Sequence, residues 1–275
     1  MDIERNLPLR MLRARVNAKQ GLTAQAAQEV AASLPMVKQD SYEDSSIFMS
    51  GIAGIYAKRS EQIAALTRIE GTTPFTGYLA LKVNELRSRE PDSKLVGMAA
   101  LEKLAGSDQD KRIRAAAWSL LGTLAYSDNN WTLAYERFKK GIELDPENIE
   151  LNNNLAYVLA AKLDKGIEAL PFAEKAAKAA PQNSGFLDTL GICQYAAKQY
   201  PQAAITLNSA LQVAVNDAER IPVYIHTGWL RVKQGDKIEA RRVASRAREL
   251  MSNLPSARDA YLADMTELDK AIDGK

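Results

Sequence analysis

The stretch Trp118–Pro146, WSLLGTLAYSDNNWTLAYERFKKGIELDP, decides how the whole chain reads. Ala117, Leu120, Leu121, Leu124 and Ala125 recur at spacings of three and four, which puts them on one face of a helix. Ser127-Asp128-Asn129-Asn130 then supplies turn and N-cap residues. A second apolar stripe runs through Leu133, Ala134, Phe138 and Ile142. Asp145-Pro146 closes it, because proline cannot continue a helix and biases the preceding residue away from helical angles. The stretch predicts an antiparallel helix pair. Gly122 and Ala134 are expected to face each other where the backbones approach, with Trp118, Leu121 and Phe138 filling the space beside them and under the next unit.

The same offsets recur. Residues 149–183 carry Leu155-Ala156, Ala169, Ala173, Ala176 and Pro181, with one extra residue in the stretch Leu163-Asp164-Lys165-Gly166. Residues 184–217 carry Leu187, Leu190-Gly191, Ala203, Leu207 and Ala210 but no closing proline. Residues 221–254 carry Tyr224, Gly228, Ala240, Ala244 and Ala247, with Pro255 just beyond. This W…LG…A…F…P pattern resembles the tetratricopeptide repeat, a helix–turn–helix unit of about 34 residues. The run LAYVLAAKLDKGIEALPFAEKAAKAAPQN (155–183) is similar in style to the repeats of large bacterial tetratricopeptide proteins. The resemblance covers 115–148, 149–183, 184–217 and 221–254, about half the chain. It implies an all-α fold, a right-handed superhelical solenoid of antiparallel helix pairs.

After the last repeat, Ala257, Tyr261, Met265, Leu268 and Ile272 line one side of a segment that is otherwise Asp, Glu and Lys. Ser256 with Asp259 approximates a capping box. Residues 255–275 therefore read as a capping helix and tail that hides the exposed end of the array. Residues 1–110 show helix periodicity without strand-like alternation. Two helical stretches flank Lys19-Gln20-Gly21, which parallels Lys233-Gln234-Gly235, with Ala26 falling where Ala240 falls. Residues 44–70 and 75–105 give further pairs, the latter split at Arg89–Ser93. These are degenerate hairpins continuing one solenoid. The alternative is a separate helical domain, with Gly71-Thr72-Thr73-Pro74 as its internal joint.

Composition narrows the function. Apolar residues make up 46% and charged residues 25%, and 36 Lys plus Arg face 34 Asp plus Glu, so no broad basic field marks a nucleic-acid or lipid surface. No apolar run reaches the length of a bilayer span. The start, MDIERNLPLRMLRAR, lacks the apolar core of a secretory signal, and an excised targeting sequence leaves cytoplasm and periplasm both open. His226 is the single histidine, so neither a multi-histidine metal site nor an HExxH helix is available. The single cysteine, Cys193, sits in an apolar helix and reads as a buried structural thiol. Gly51-Ile52-Ala53-Gly54 lacks the Lys-Ser/Thr of a phosphate loop and reads as helix packing. No catalytic residues, cofactor or metal are expected.

In tetratricopeptide proteins the first helix of each pair lines a concave face where partners lie. Carried onto this sequence, that face receives Ser119, Thr123 and Tyr126 from the first repeat and Asn153, Asn154 and Tyr157 from the second. The third gives Asp188, Ile192 and Tyr195, and the fourth Ile225, His226, Trp229 and Lys233. The family's clamp for acidic chaperone tails needs Lys, Asn and Arg here. Only Asn154 matches, while Ser119, Thr123, Gly185 and Thr189 stand at the other places. An aromatic and amide lining suits an apolar or amphipathic protein segment, although aromatics on repeat helices also pack between neighbouring units. The expected partner-binding residues are Asn153, Asn154, Tyr157, Asp188, Ile192, Tyr195, His226, Trp229 and Lys233. A structural subunit that packs through solenoid edges, or a homo-oligomer, is the alternative. RNA reading by repeats lacks the basic residues it needs.

Overall fold

The computed structural model describes residues 3–71 and 73–274, and all regular structure among them is helical. Thr72, part of the joint expected at Gly71–Pro74, lies outside the described residues. Compactness divides the chain between Asp145 and Pro146. The first unit holds α1 (Leu7–Lys19), α2 (Thr23–Ser33), α3 (Tyr42–Ile55), α4 (Arg59–Glu70), α5 (Gly77–Ser88), α6 (Lys94–Ala105), α7 (Lys111–Ser127) and α8 (Trp131–Leu144). The second holds α9 (Ile149–Lys162), α10 (Gly166–Ala179), α11 (Ser184–Ala196), α12 (Tyr200–Val213), α13 (Asp217–Lys233), α14 (Lys237–Ser252) and α15 (Pro255–Asp273). The helix pair of the opening stretch packs with what precedes it. Ile113, Ala117 and Leu121 share a buried cluster with Leu81, Leu101 and Leu104, and Arg137 donates both to the Leu121 carbonyl (3.0 Å) and to Glu102 (2.9 Å).

One device closes the turn inside five of the pairs. Gly21, Asn129, Asp164, Lys198 and Gly235 adopt left-handed φ values of 54° to 78°. Each stands five positions before a fully buried alanine: Ala26, Ala134, Ala169, Ala203 and Ala240. The next residue then donates back across the helix end, as in Leu22 N–H to Asn17 O (2.9 Å), Asn130 to Ala125 (2.9 Å), Gln199 to Gln194 (2.8 Å) and Asp236 to Arg231 (3.0 Å). This is the closure of a Schellman motif, which satisfies an orphan helix carbonyl. The extra residue of the second repeat is absorbed here, with Lys165 N–H reaching one residue further back to Leu159 O at 2.8 Å. The α1–α2 pair shares the turn, so the Lys19-Gln20-Gly21 parallel is a parallel of backbone conformation. At Lys198 the left-handed angle is strained, because Cβ crowds the following carbonyl. Lys198→Gly is expected to raise stability by about 0.5–1 kcal/mol, relief of strain being partly offset by glycine's extra freedom in the unfolded chain. Urea denaturation checks it, and a midpoint that stays still or falls contradicts it.

Helix contacts are set by small-to-large complementarity. Nearest to Gly122 is the Phe138 ring, which fills the space a side chain at Gly122 would take, and Ala134 of the same partner helix is fully buried. Gly191 meets Leu207 in the same way, two repeats later. Phe138 and Leu207 each follow the buried alanine by one helical turn, so the aromatic or aliphatic knob belongs opposite glycine. At Gly228 the corresponding residue is small, Ala244, and Leu268 of α15 fills the notch. Ala257, Met265, Leu268 and Ile272 of α15 are buried and Tyr261 packs beside them, as the sequence stripe predicts. The expected capping box at Ser256 does not form. The helix begins at Pro255, whose fixed φ suits a first helical position, and Asp259 pairs with Arg258.

Cys193 is fully buried, its Sγ 3.7 Å from the Ala156 carbonyl, and burial pushes the thiol up to about 12. Gly51 and Gly54 lie where α1 crosses α3, against Met11 and Arg15, and hold no phosphate-loop geometry. Among the described residues no helix is long and apolar enough to cross a membrane.

Candidate partner-binding face

The first helices of the second unit, α9, α11 and α13, lie side by side. Asparagines cap all three: Asn148 accepts from Leu151 N–H, Asn183 from Phe186 N–H and Asn216 from Glu219 N–H. Such caps hold orphan N–H groups and fix where each helix starts, hence its register against the next. α11 shows how the faces are allotted. Gly191 turns to Leu207 of α12, Cys193 to Ala156 of α9, and Asp188 to His226 of α13. The expected partner-binding positions fall at fixed offsets from these contacts. Asn154, Thr189 and His226 stand two residues before the small seam residues Ala156, Gly191 and Gly228. Tyr157, Ile192 and Trp229 stand one residue after them.

The expected residues differ in what they offer. Asn154, Tyr157, His226 and Trp229 are half-buried, and Lys233 is exposed. Asn153 is half-buried, with Nδ2 donating to Asn154 Oδ1 at 3.4 Å, while its own Oδ1 is closed to solvent without a partner. Asp188 and Ile192 are each only 6% exposed, so they shape the face from below. Tyr195 turns toward Tyr200, ring centroids 6.0 Å apart, and packs on the cluster shared by α12 and α13. Trp229 rests on the cluster that α15 completes and is half-buried. Ile225 is buried in that same cluster. In the first unit, Thr123 is exposed, Ser119 is half-buried, and Tyr126 packs on Trp131 with centroids 4.9 Å apart and the rings tilted by 57°.

The face has one polar centre, which sequence patterning did not pair. His226 Nδ1 donates to the Asp188 carboxylate, 2.8 and 3.0 Å from its two oxygens, across residues 38 positions apart. Burial alone pushes the imidazole down. The Asp188 charge and hydrogen bond, with help from Asp264 on α15, outweigh both burial and the opposing Lys162, so His226 titrates above its ordinary value. With Nδ1 engaged, Nε2 is the ring atom left to meet a ligand. The pair gives the face a donor of fixed direction. Asn152, adjacent in the Asn run, is structural: it donates to the carbonyls of Pro146 (2.9 Å) and Asn148 (2.7 Å) and locks the start of α9.

No protein-family model and no curated protein matches this chain. Solved structures do. MamA from Desulfovibrio magneticus RS-1, from residue 41 to its end, is 20% identical, with a TM-score of 0.51 over 64% of this chain and 97% of that one. YrrB, a TPR protein with an unusual peptide-binding site, is 17% identical, with a TM-score of 0.53 over 72% of this chain and 98% of that one. The fold is the tetratricopeptide fold. PilW, a type IV pilus biogenesis factor, agrees at 17% identity and a TM-score of 0.53, covering 71% of this chain and 93% of that one. The tetratricopeptide register accounts for the recurrence of small residues at Ala156, Gly191 and Gly228.

Proposed function

We propose that the chain is a non-catalytic interaction scaffold that holds a protein segment, extended or helical, on the first-helix face of its second unit. The observation that carries this reading is the His226–Asp188 pair, which joins α11 to α13; half-buried Asn154 and Tyr157 stand at the corresponding repeat positions of α9, and half-buried Trp229 three residues after His226. Half-buried aromatics supply contact area at low entropy cost, and amides and an oriented imidazole supply hydrogen bonds for a peptide backbone. The fold is shared with YrrB, which has a peptide-binding site of its own. The face lacks a cationic cluster, so nucleic acid is not the proposed partner, and binding depends weakly on salt.

Selection of a displayed peptide library on the folded chain tests the reading. Asn154→Ala and Trp229→Ala are each expected to weaken a selected peptide about tenfold, the size of a moderate hot spot, with melting temperature nearly unchanged for Asn154→Ala and lowered for Trp229→Ala, whose ring also packs on the α15 cluster. Peptides that bind both variants at full strength place the site elsewhere.

A second reading, assembly through the solenoid's edges, draws on exposed isoleucines of the second helices: Ile167 (78% exposed), Ile205 (69%) and Ile238 (84%). Light scattering separates the two, because a stable homo-oligomer supports assembly and a monomer leaves the face free.

A further inference from the structure

The helix α4 sits apart from the regular packing of the first unit. It makes little contact with α3, and Ala65 and Leu66 are its buried residues. Polar contacts hold it: Arg87 pairs with Glu70 at 2.7 Å and donates to Thr67 Oγ1 at 3.1 Å, and Arg59 pairs with Glu90 at 2.9 Å. Between α2 and α4 this leaves an apolar cleft of about 190 Å³. One wall is Ala27, Val30 and Ala31, the other Ala65, Arg68 and Ile69, each set at helical spacings of three and four, with Tyr56 between them in sequence.

We infer that this cleft docks an amphipathic helix of a partner protein, one that carries an acidic residue beside its apolar stripe. Two rows at i, i+3 and i+4 that line one cleft make a groove into which the ridge of a third helix fits, and the alanines let it approach closely. The volume is below the roughly 300–1,000 Å³ of small-molecule pockets, which suits a side-chain anchor better than a metabolite. Arg68 fixes the charge of the occupant. It is exposed at the cleft and has no acidic partner among the described residues, whereas Arg59 and Arg87 of the same region are paired. A carboxylate next to the apolar stripe completes it.

The test uses the full chain, methyl-labelled for NMR, and two synthetic helices of about 14 residues, a typical helix length. They share one leucine stripe and differ in having Glu or Lys beside it. The Glu helix is expected to shift the methyl signals of Val30 and Ile69 and to bind about three- to fivefold tighter than the Lys helix, as a rim ion pair allows. Arg68→Glu is expected to reverse that order. Ala31→Trp, which fills the cleft from an exposed helix position, is expected to abolish the shifts while the melt shows the fold intact. Absent shifts with both helices, a preference unchanged in Arg68→Glu, or shifts that survive Ala31→Trp would each overturn the inference.

Discussion

A chain truncated after Leu254 is expected to lose the cooperative unfolding of its second unit and to bind a hydrophobic dye before heating. α15 contributes Met265, Leu268 and Ile272, each 3% exposed or less. Burying such side chains is worth about 1.5–3 kcal/mol apiece, so the three supply roughly 5–9 kcal/mol as an upper estimate. That compares with a total of about 5–15 kcal/mol for an ordinary domain. Removal also uncovers Ile221, Ile225, Leu250 and Met251, which share the cluster. Leu268→Ala isolates the notch at Gly228 and is expected to cost about 2–5 kcal/mol, the range for cavity creation in a core. Calorimetry of the two variants checks this. A truncated chain with the parent's midpoint would show that α15 only decorates the array.

His226→Leu is expected to cost about 3 kcal/mol, the low end for removing one partner of a buried pair, because the His226 side chain is 22% exposed while Asp188 is 9%. The sign of the pH effect follows from the raised imidazole. Its contribution is fully present below the ordinary value of about 6.5 and is lost as pH rises through the higher folded value. The charged groups that act on it are Asp188 on α11, Asp264 on α15 and Lys162 at the end of α9. Parent stability should therefore fall with rising pH across that window, and the variant should lose that part of the fall which lies above about 6.5. No second histidine confuses the reading, and Cys193, pushed up to about 12, titrates far outside it. A variant with the same slope as the parent would assign the titration to another group.

Periodicity and small-residue spacing made the helix pairs legible, including Gly21, where glycine marks a turn that Asn129, Asp164 and Lys198 also adopt. Those three were not legible as left-handed, since Asn, Asp and Lys carry no such requirement. The partners of glycine were also hidden. That Gly122 meets Phe138 and Gly228 meets Leu268 depends on interhelix stagger, which a linear offset does not encode. The candidate face was legible as a register but not as an environment. Ile192 and Asp188 occupy the right positions, yet neighbouring helices cover them. The pairing of His226 with Asp188 joins separate repeats and carries no local signal. Ser256 misled because a good N-cap residue stood one place after a proline better suited to begin the helix.

The separation of α4 from its neighbours also sets a timescale. Local opening frees little apolar surface, since Ala65 and Leu66 are its buried residues, while ion pairs at Glu70 and at Arg59 do most of the fastening. A segment of that kind belongs to the low-free-energy end of native fluctuations, detaching and reclosing many times for each global unfolding event. Its amide protons accordingly exchange with solvent ahead of those in α7 or α9, and added salt quickens them by screening the fastening charges. Faster exchange in α4 than in α7 or α9 would be the measured sign of such release.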